Sequence, residues 1–274
     1  GYEPEGIALY DGHLFVANSG GYSYAEDHDY EHTVSVVDAA TMKVTRTVDV
    51  SAINLYGYMS ISGQYLCINS PGDYYEEGPS TVIFDCRAAI DSKPDGQCSA
   101  KLSFPSTYNT VMPDGNFLTI GSTYSSLTGD FSYSKSIINP AEVMRTGGSG
   151  GVSNTLPGSV AADIAGMQTP NSIYVNLYTG YIYATDARDS TSAGRLYQWT
   201  PEGNLKGTYT TYINPGHILA LPPDGHFGGI DGVAPDAGAE PYEDSIIYNL
   251  QGIPVVNTVP GQIYIRGGRK FIQR

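Results

Sequence analysis

The side chains best suited to binding chemistry lie in the longer polar segments that separate short apolar runs. These segments place tyrosine rings beside amide and carboxylate groups, which suits stacking on, and hydrogen bonding to, a small polar organic ligand. The predicted ligand-binding residues are Asn18, Tyr22, Tyr24, Asn69, Asp73, Tyr74, Tyr124, Asp186, Arg188 and His217. The alternative interpretation is a solvated surface on which the Asn and Asp side chains only cap turns.

Evidence for catalysis is weaker than evidence for binding. The sequence has no His-Glu-x-x-His motif and no phosphate-binding loop. His217 follows an Asn-Pro-Gly sequence at the expected start of a strand, where it either faces a central channel or makes a structural hydrogen bond. We therefore predict a non-catalytic protein. The alternatives are a hydrolase or lyase with a channel metal, and a structural assembly module. The sequence assigns no cofactor.

An acidic segment at residues 26–32 contains residue types that bind metals. Its carboxylates suit Ca²⁺, and His28 and His32 suit zinc. The segment lacks the ordered spacing of a calcium-binding loop. A solvated acidic loop is therefore the favoured interpretation, and we predict no metal site.

The chain has three cysteines, which limits it to one disulfide at most within a single molecule. Cys86 and Cys98 flank a turn-forming segment at residues 91–96, and we predict that they are bridged or close enough to bridge. Cys67 lies in an apolar run and is predicted to be a buried, free thiol. Neither the number nor the spacing of the cysteines fits a disulfide scaffold or a zinc site.

The chain carries a strongly negative charge. It has 28 acidic and 14 basic residues and a formal net charge of −14, a balance that repels phosphate backbones and excludes nucleic acid as the expected partner. No apolar run approaches the ~18 residues of a membrane span, so we expect no transmembrane segment. The expected partner is a small polar ligand or a surface protein.

A repeated four-strand module predicts the elements that position these residues. Strands are predicted at 6–12, 13–20, 33–38 and 43–48, at 57–61, 65–69, 81–85 and 100–104, at 108–112, 116–120 and 134–138 with an unclear fourth strand, and at 172–175, 180–185, 194–199 and 205–210. Four strands in about 40–50 residues are typical of a β-propeller blade. We therefore predict an all-β fold, a β-propeller of four-stranded antiparallel blades.

Blade topology places the predicted binding residues on one face. In such a blade, the loop between the second and third strands and the connection to the next blade lie on the same face. The long segments 18–33, 69–80, 121–134 and 186–194 are all loops of the first kind. Long loops that converge on one face of a scaffold are where binding residues usually gather.

The C-terminal part of the sequence departs from the repeat. A further first strand is predicted at residues 216–221 without its three partners, and upstream blades of a longer chain are favoured over closure by C-terminal strands. The predicted domains are 1–227 for the blades, 228–244 for a linker rich in Gly, Ala, Pro and Asp, and 245–274 for a small C-terminal β-module. Three short strands alone are marginally stable.

Two stretches carry a resemblance to known proteins. Residues 4–8 (PEGIA), 14–21 (LFVANSGG), 33–38 (TVSVVD) and 180–187 (GYIYATDA) resemble the YncE-like propeller repeat. Residues 248–252 (YNLQG), 260–265 (PGQIYI) and 268–270 (GRK) resemble the C-terminal segment of many exported Bacteroidetes proteins. The resemblance implies an extracytoplasmic protein, secreted or at the cell surface and at most peripheral to the outer membrane. Such surface propellers are usually seven-bladed and include cobalamin-capturing lipoproteins.

Overall fold

The computed structural model describes residues 3–21, 30–73, 76–124 and 129–219, together with the short C-terminal strands 247–248, 254–255, 263–266 and 269–272. The chain divides into two compact units, Gly1–Ala220 and Leu221–Arg274. The described residues of the first unit are mainly in β-strands, and those of the second unit are all in β-strands.

The described part of the first unit contains four antiparallel sheets of four strands, here called blades 1 to 4. Blade 1 contains β1 (Pro4–Tyr10), β2 (His13–Asn18), β3 (Thr33–Asp38) and β4 (Lys43–Asp49). Blade 2 contains β5 (Met59–Ser62), β6 (Tyr65–Ser70), β7 (Ser80–Asp85) and β8 (Ser99–Leu102). Blade 3 contains β9 (Tyr108–Val111), β10 (Phe117–Tyr124), β11 (Phe131–Ile138) and β12 (Val152–Ser153). Blade 4 contains β13 (Pro170–Val175), β14 (Ile182–Asp186), β15 (Ala193–Trp199) and β16 (Leu205–Ile213).

Strand order follows chain order in every blade, as the repeat predicts. The β1–β2 turn shows why. Asp11 and Gly12 have φ values of 45° and 71°, the left-handed pair that a two-residue hairpin needs in order to match the twist of its strands. The first strands β1, β5, β9 and β13 contact one another in series, which places them next to the axis about which the blades follow one another.

Short helices interrupt the strand pattern in blades 2 and 3. Within the described residues these are α1 (Cys86–Ile90), α2 (Pro140–Thr146) and α3 (Val160–Ala165). Asn139 caps α2 by accepting a hydrogen bond from the Glu142 backbone N–H at 3.0 Å, and Pro140 occupies the first turn, where its missing N–H costs nothing. The unclear fourth strand of the third copy is the two-residue β12, which lies between α2 and α3.

The core lies between neighbouring blades. Phe15 of blade 1 and Phe84 of blade 2 pack edge to face, with ring centroids 5.9 Å apart. Strand β6 contributes to two interfaces, because Leu66 faces the blade 1 side and Cys67 packs in a second cluster with residues of blade 3. A third cluster joins blades 3 and 4 and includes Trp199. Successive side chains of a strand point to opposite faces, so the unbroken buried runs of β6 and β7 serve burial on both faces of blade 2.

The predicted further strand at residues 216–221 is not formed. Strand β16 ends at Ile213, and residues 214–219 have no regular structure, while residues 220 and 221 lie outside the described residues. Asn214 has a φ of 52°, and Pro215 lacks a backbone N–H for a strand ladder. The Pro215 carbonyl instead accepts side-chain hydrogen bonds from Asn171 and Thr185.

Cys86 and Cys98 are not bridged, since both thiols are free, and the other half of the prediction, that they lie close enough to bridge, stays a prediction. Cys86 begins α1, and Cys98 follows a 3-10 turn at Asp95–Gln97, so the connection is helical rather than a simple turn. Both side chains are buried in the interface between blades 1 and 2. Cys67 is buried and free as predicted, and burial raises the pKa of its thiol to about 12.

The second unit contains a small sheet of its own. Its described strands are β17 (Ile247–Tyr248), β18 (Pro254–Val255), β19 (Ile263–Arg266) and β20 (Arg269–Ile272), in the order β18-β17-β19-β20. The sequence predicted three strands here, and the structure adds β18. The predicted linker at residues 228–244 lies outside the described residues, so its bounds remain a prediction.

Candidate functional site

The predicted residues at the ends of the second strands are buried rather than exposed. Asn18, Asn69 and Asp186 lie at or next to the last residue of β2, β6 and β14, and their exposed fractions are 1%, 4% and 4%. Each is hydrogen-bonded to the protein. Asn69 donates to the Tyr56 carbonyl and accepts from the Ser106 backbone N–H, both at 3.1 Å.

Asp186 and Asn18 have the same kind of structural role. The Asp186 carboxylate accepts hydrogen bonds from the backbone N–H groups of Thr169 and Arg188 at 2.9 Å and of Gln168 at 3.3 Å. It therefore joins the end of β14 to the segment that leads into β13. The Asn18 amide donates to the hydroxyls of β3 residues Thr33 and Ser35 at 2.9 Å.

Two further predicted residues, Asp73 and Arg188, stabilise their own loops. The Asp73 carboxylate accepts from the backbone N–H groups of Glu76 and Glu77 at 2.9 Å and so satisfies two backbone donors of its own loop. Arg188 has a φ of 53°, and its guanidinium donates to the Ala193 carbonyl at 3.3 Å. Tyr22, Tyr24 and Tyr74 lie outside the described residues.

His217 belongs to a polar aromatic network at the inner ends of three blades. Its Nδ1 is hydrogen-bonded to the Tyr58 hydroxyl, and the two rings lie 5.6 Å apart. Tyr58 packs edge to face against Tyr108 with centroids 5.9 Å apart, and the Tyr108 hydroxyl donates to Asn171 at 2.7 Å. Asn171 in turn donates to Asn214 at 3.0 Å. The network connects blades 2, 3 and 4 to the segment after β16.

A cleft next to this network gathers exposed aromatic rings. We call it the aromatic cleft; it has a volume of about 350 Å³ and is lined by Tyr56, Gly57, Tyr58, Asn69, Pro71, Pro105, Thr107, Tyr108, Ser122, Tyr124 and Phe131. Tyr56, Tyr124 and Phe131 are 52%, 53% and 59% exposed. Tyr124 and Phe131 are opposite each other on β10 and β11, and their ring centroids lie 5.2 Å apart.

Among the residues that the structure describes, the lining of the aromatic cleft is electrically neutral. Its described lining includes no Asp, Glu, Lys, Arg or His. Burial raises the pKa of Tyr58, and burial together with Tyr133 and Tyr58 raises the pKa of Tyr108. Both phenols therefore stay protonated well above neutral pH. The Asn69 amide is buried and bonded to the protein, so the side-chain polar groups that the described lining offers are hydroxyls, which suit hydrogen bonding to an uncharged ligand.

The outer part of the β10–β11 hairpin separates this cleft from a more polar groove. The groove has a volume of about 630 Å³, and Glu76, Glu77 and Lys101 are among its lining residues. Lys101 and Glu77 form an ion pair there. Thr123 and Ser132 of the hairpin line the groove, whereas Tyr124 and Phe131 line the aromatic cleft. At the outer end of the hairpin, period-two alternation thus directs one opposite pair of side chains to the cleft and the next pair to the groove.

Sequence reasoning identified only part of this cleft. Of the predicted binding residues, Asn69 and Tyr124 line it, and His217 contacts its wall through Tyr58. The prediction missed Tyr56, Tyr58, Tyr108 and Phe131. A usable signal existed, because Tyr58 and Tyr108 each stand at the start of the first strand of their repeat copies.

Residues 147–151 match the letters of a Gly-x-Ser-x-Gly motif but not its structure. A nucleophile elbow requires the serine on a sharp turn between a strand and a helix. Here Ser149 follows helix α2, and its hydroxyl donates to the Thr146 carbonyl at 2.9 Å. Ser149 therefore caps the end of a helix.

In the part of the chain that the structure describes, no three His, Cys, Asp or Glu side chains cluster closely enough to hold a metal ion. None of the helices in the same residues has the length and apolar character needed to cross a membrane.

Comparison with known proteins shows the fold. No family model and no curated protein matches the chain. The Cps50 (Swd1) β-propeller domain of Myceliophteria thermophila matches with a TM-score of 0.50 and 14% identity over 82% of this chain and 60% of that one. Kuenenia stuttgartiensis hydrazine synthase matches with a TM-score of 0.47 and 14% identity over 73% of this chain and 46% of that one. The chain thus spans less than two thirds of either structure, and its first unit has a β-propeller fold.

Proposed function

We propose that this protein is a non-catalytic propeller that binds a small, neutral, polar organic ligand in the aromatic cleft. The observation that carries the proposal is the set of exposed rings, Tyr56, Tyr124 and Phe131, around a concave neutral site. Ligand pockets are typically concave, largely apolar and supplied with a few polar groups, and they measure about 300–1,000 Å³. The aromatic cleft lies within that range.

The exposed rings favour a ligand energetically. An aromatic side chain is a large apolar surface, and covering it releases about 25 cal/mol per Å². Tyr124 and Phe131 lie on a pair of hydrogen-bonded strands, so their backbone positions are set before a ligand arrives. A preorganised surface loses less conformational entropy on binding than a flexible one. These features support binding at this site more than a purely structural role.

The proposal includes an extracytoplasmic location, with the protein secreted or at the cell surface and active in nutrient capture. The proposed location rests on the resemblance of residues 248–270 to the C-terminal segment of exported proteins. The formal net charge of the chain is −14, which repels anions and therefore suits a ligand that is not an anion. Fractionation of the source cells, with immunodetection of the protein in the medium and on intact cells, tests the location.

Binding is tested with a mixture of neutral saccharides, nucleosides and riboflavin by saturation-transfer NMR. Phe131→Ala and Tyr124→Ala remove rings of the cleft, and Tyr178→Ala is the matched control, because Tyr178 is 65% exposed and lies outside the cleft between β13 and β14. We expect the first two variants to lose the transfer signal and the control to keep it. A signal that is absent from the wild type, or that survives both cleft substitutions, contradicts the proposal.

A further inference from the structure

We propose that the ligand of the aromatic cleft is a carbohydrate and that it is held through the face of a neutral sugar ring. This inference rests on the proposed function and narrows it to one ligand class. A pyranose has an apolar face of C–H bonds and a rim of hydroxyl groups. It therefore needs an exposed aromatic face to lie on and, beside that face, groups that both donate and accept hydrogen bonds.

The geometry of the rings fits a sugar better than a flat heterocycle. A flat heterocycle gains most from a slot between parallel aromatic faces, where both of its faces are stacked. Tyr124 and Phe131 are inclined at 52° with centroids 5.2 Å apart. They form an angled surface that is open on one side, as exposures of 53% and 59% show. Such a surface covers one face of a puckered ring and leaves the other face in water.

The polar groups beside the rings also match sugar hydroxyls. Thr107 and Ser122 line the cleft, and their hydroxyl oxygens lie 3.1 Å apart. The Thr107 oxygen also accepts the Ser122 backbone N–H at 2.9 Å, which fixes the pair in place. A hydroxyl has one donor and two acceptor sites, so this pair has capacity left for a ligand hydroxyl of either polarity.

Charge narrows the class to neutral sugars. The described lining of the cleft is uncharged and the chain carries a net charge of −14, so a sugar phosphate or a uronic acid meets repulsion with no cationic partner among those residues. Glu76 and Glu77 line the groove on the other side of the hairpin, and Asp130, which precedes Phe131, is not among the described residues that line the cleft. A neutral saccharide avoids this penalty and keeps the stacking contact.

The experiment titrates the whole protein with single probes by ligand-observed NMR. The probes are methyl β-D-glucopyranoside, methyl α-D-mannopyranoside, methyl β-D-galactopyranoside, cellobiose and maltose, with adenosine and riboflavin as flat neutral heterocycles and glucose 6-phosphate as the charged sugar. We expect at least one neutral saccharide to bind with a Kd on the order of 1 mM, the range of weak single-site contacts. Phe131→Ala should weaken it at least tenfold, while Tyr178→Ala, outside the cleft, leaves it within about twofold.

Each outcome separates the sugar inference from the proposed function. Binding of adenosine or riboflavin that depends on Phe131, with no saccharide binding, overturns the sugar inference and leaves the neutral-ligand function standing. Tighter binding of glucose 6-phosphate than of the neutral sugars also overturns the inference. Absence of binding by every probe overturns both. Circular dichroism of each variant confirms that a lost signal reflects the cleft rather than the fold.

Discussion

Asp186 shows how a charged side chain in a polar loop serves the fold. Its carboxylate is 4% exposed and accepts three backbone N–H groups that have no partner in a strand ladder. A buried carboxylate is tolerated when hydrogen bonds replace its hydration. The side chain therefore closes the junction between the start of β13 and the end of β14.

We predict that Asp186→Ala lowers the free energy of unfolding by about 2–4 kcal/mol, because it leaves three backbone donors without acceptors at a buried site. Urea unfolding followed by circular dichroism measures the loss. Asp189→Ala is the matched control, since Asp189 also accepts backbone N–H groups, those of Thr191 and Ser192, but is exposed. Equal losses in the two variants would contradict the role given to burial.

Asn69 and Tyr124 show what the sequence could and could not predict at the residue scale. Both were predicted as binding residues from their types and their positions near loops. In the structure, Asn69 is buried and its amide is hydrogen-bonded to the backbone, whereas Tyr124 is exposed beside Phe131. Residue type does not distinguish these outcomes, because an amide that binds a ligand and an amide that caps a turn occur in the same loops.

At the scale of elements, strands joined by short turns could be predicted and elements that depend on distant partners could not. The repeated module and the Asp11-Gly12 turn were sufficient to predict β1 and β2. The segment at residues 216–219 is apolar enough for a strand, but a strand forms only beside a second strand whose free backbone N–H and C=O groups can pair with it. Most of the cleft could not be predicted because it also depends on distant partners. Its rings come from blade connections and a hairpin that meet only in the folded chain.

Blades 1 and 2 are also joined near the end of β4 by an ionic contact. The Arg46 guanidinium on β4 donates to the Ala89 carbonyl at 3.0 Å and lies 2.5 Å from Asp95, and the Asp49 backbone N–H donates to Asp95 at 3.1 Å. The Asp49 N–H, and next the Arg46 side chain, hold the pKa of Asp95 below its usual value. The contact thus links β4 to the segment after α1.

The lowered pKa of Asp95 gives a pH dependence with a definite sign. A carboxyl whose pKa falls on folding stabilises the protein fully above its unfolded pKa of ~3.9, and this stabilisation is lost as the pH falls through the folded pKa. We expect Asp95→Asn to be less stable than the wild type at pH 7 and the difference to shrink steadily below about pH 4. Urea unfolding across this range measures it, with Asp91→Asn, an exposed neighbour, as control. A difference that stays constant with pH would contradict the contribution of the Asp95 charge.

At the scale of the whole molecule, the blades differ in how far their apolar side chains are buried. Blade 2 packs both faces of its sheet in core clusters. Ile7 and Val44 of blade 1 are 63% and 62% exposed, and Tyr209 of blade 4 is 50% exposed. Each inter-blade cluster joins two sheets, so the stability of the first unit comes from contacts between successive blades, as in other repeat folds.

The described strand pairs of the first unit all lie within residues 4–213, and the second unit pairs its own strands. We therefore predict that a protein ending at Ala220 keeps its β-sheet circular dichroism spectrum and a cooperative thermal transition, because each inter-blade core is retained.

Limited proteolysis of the whole chain should likewise cut within the Gly- and Pro-containing segment 228–244 before it cuts the blades. A truncated protein without a cooperative transition, or first cuts inside the blades, would show that the second unit supplies contacts on which the blades depend. The same measurement on Phe15→Ala, which should lose about 3–5 kcal/mol from the interface of blades 1 and 2, calibrates the size of a true core loss.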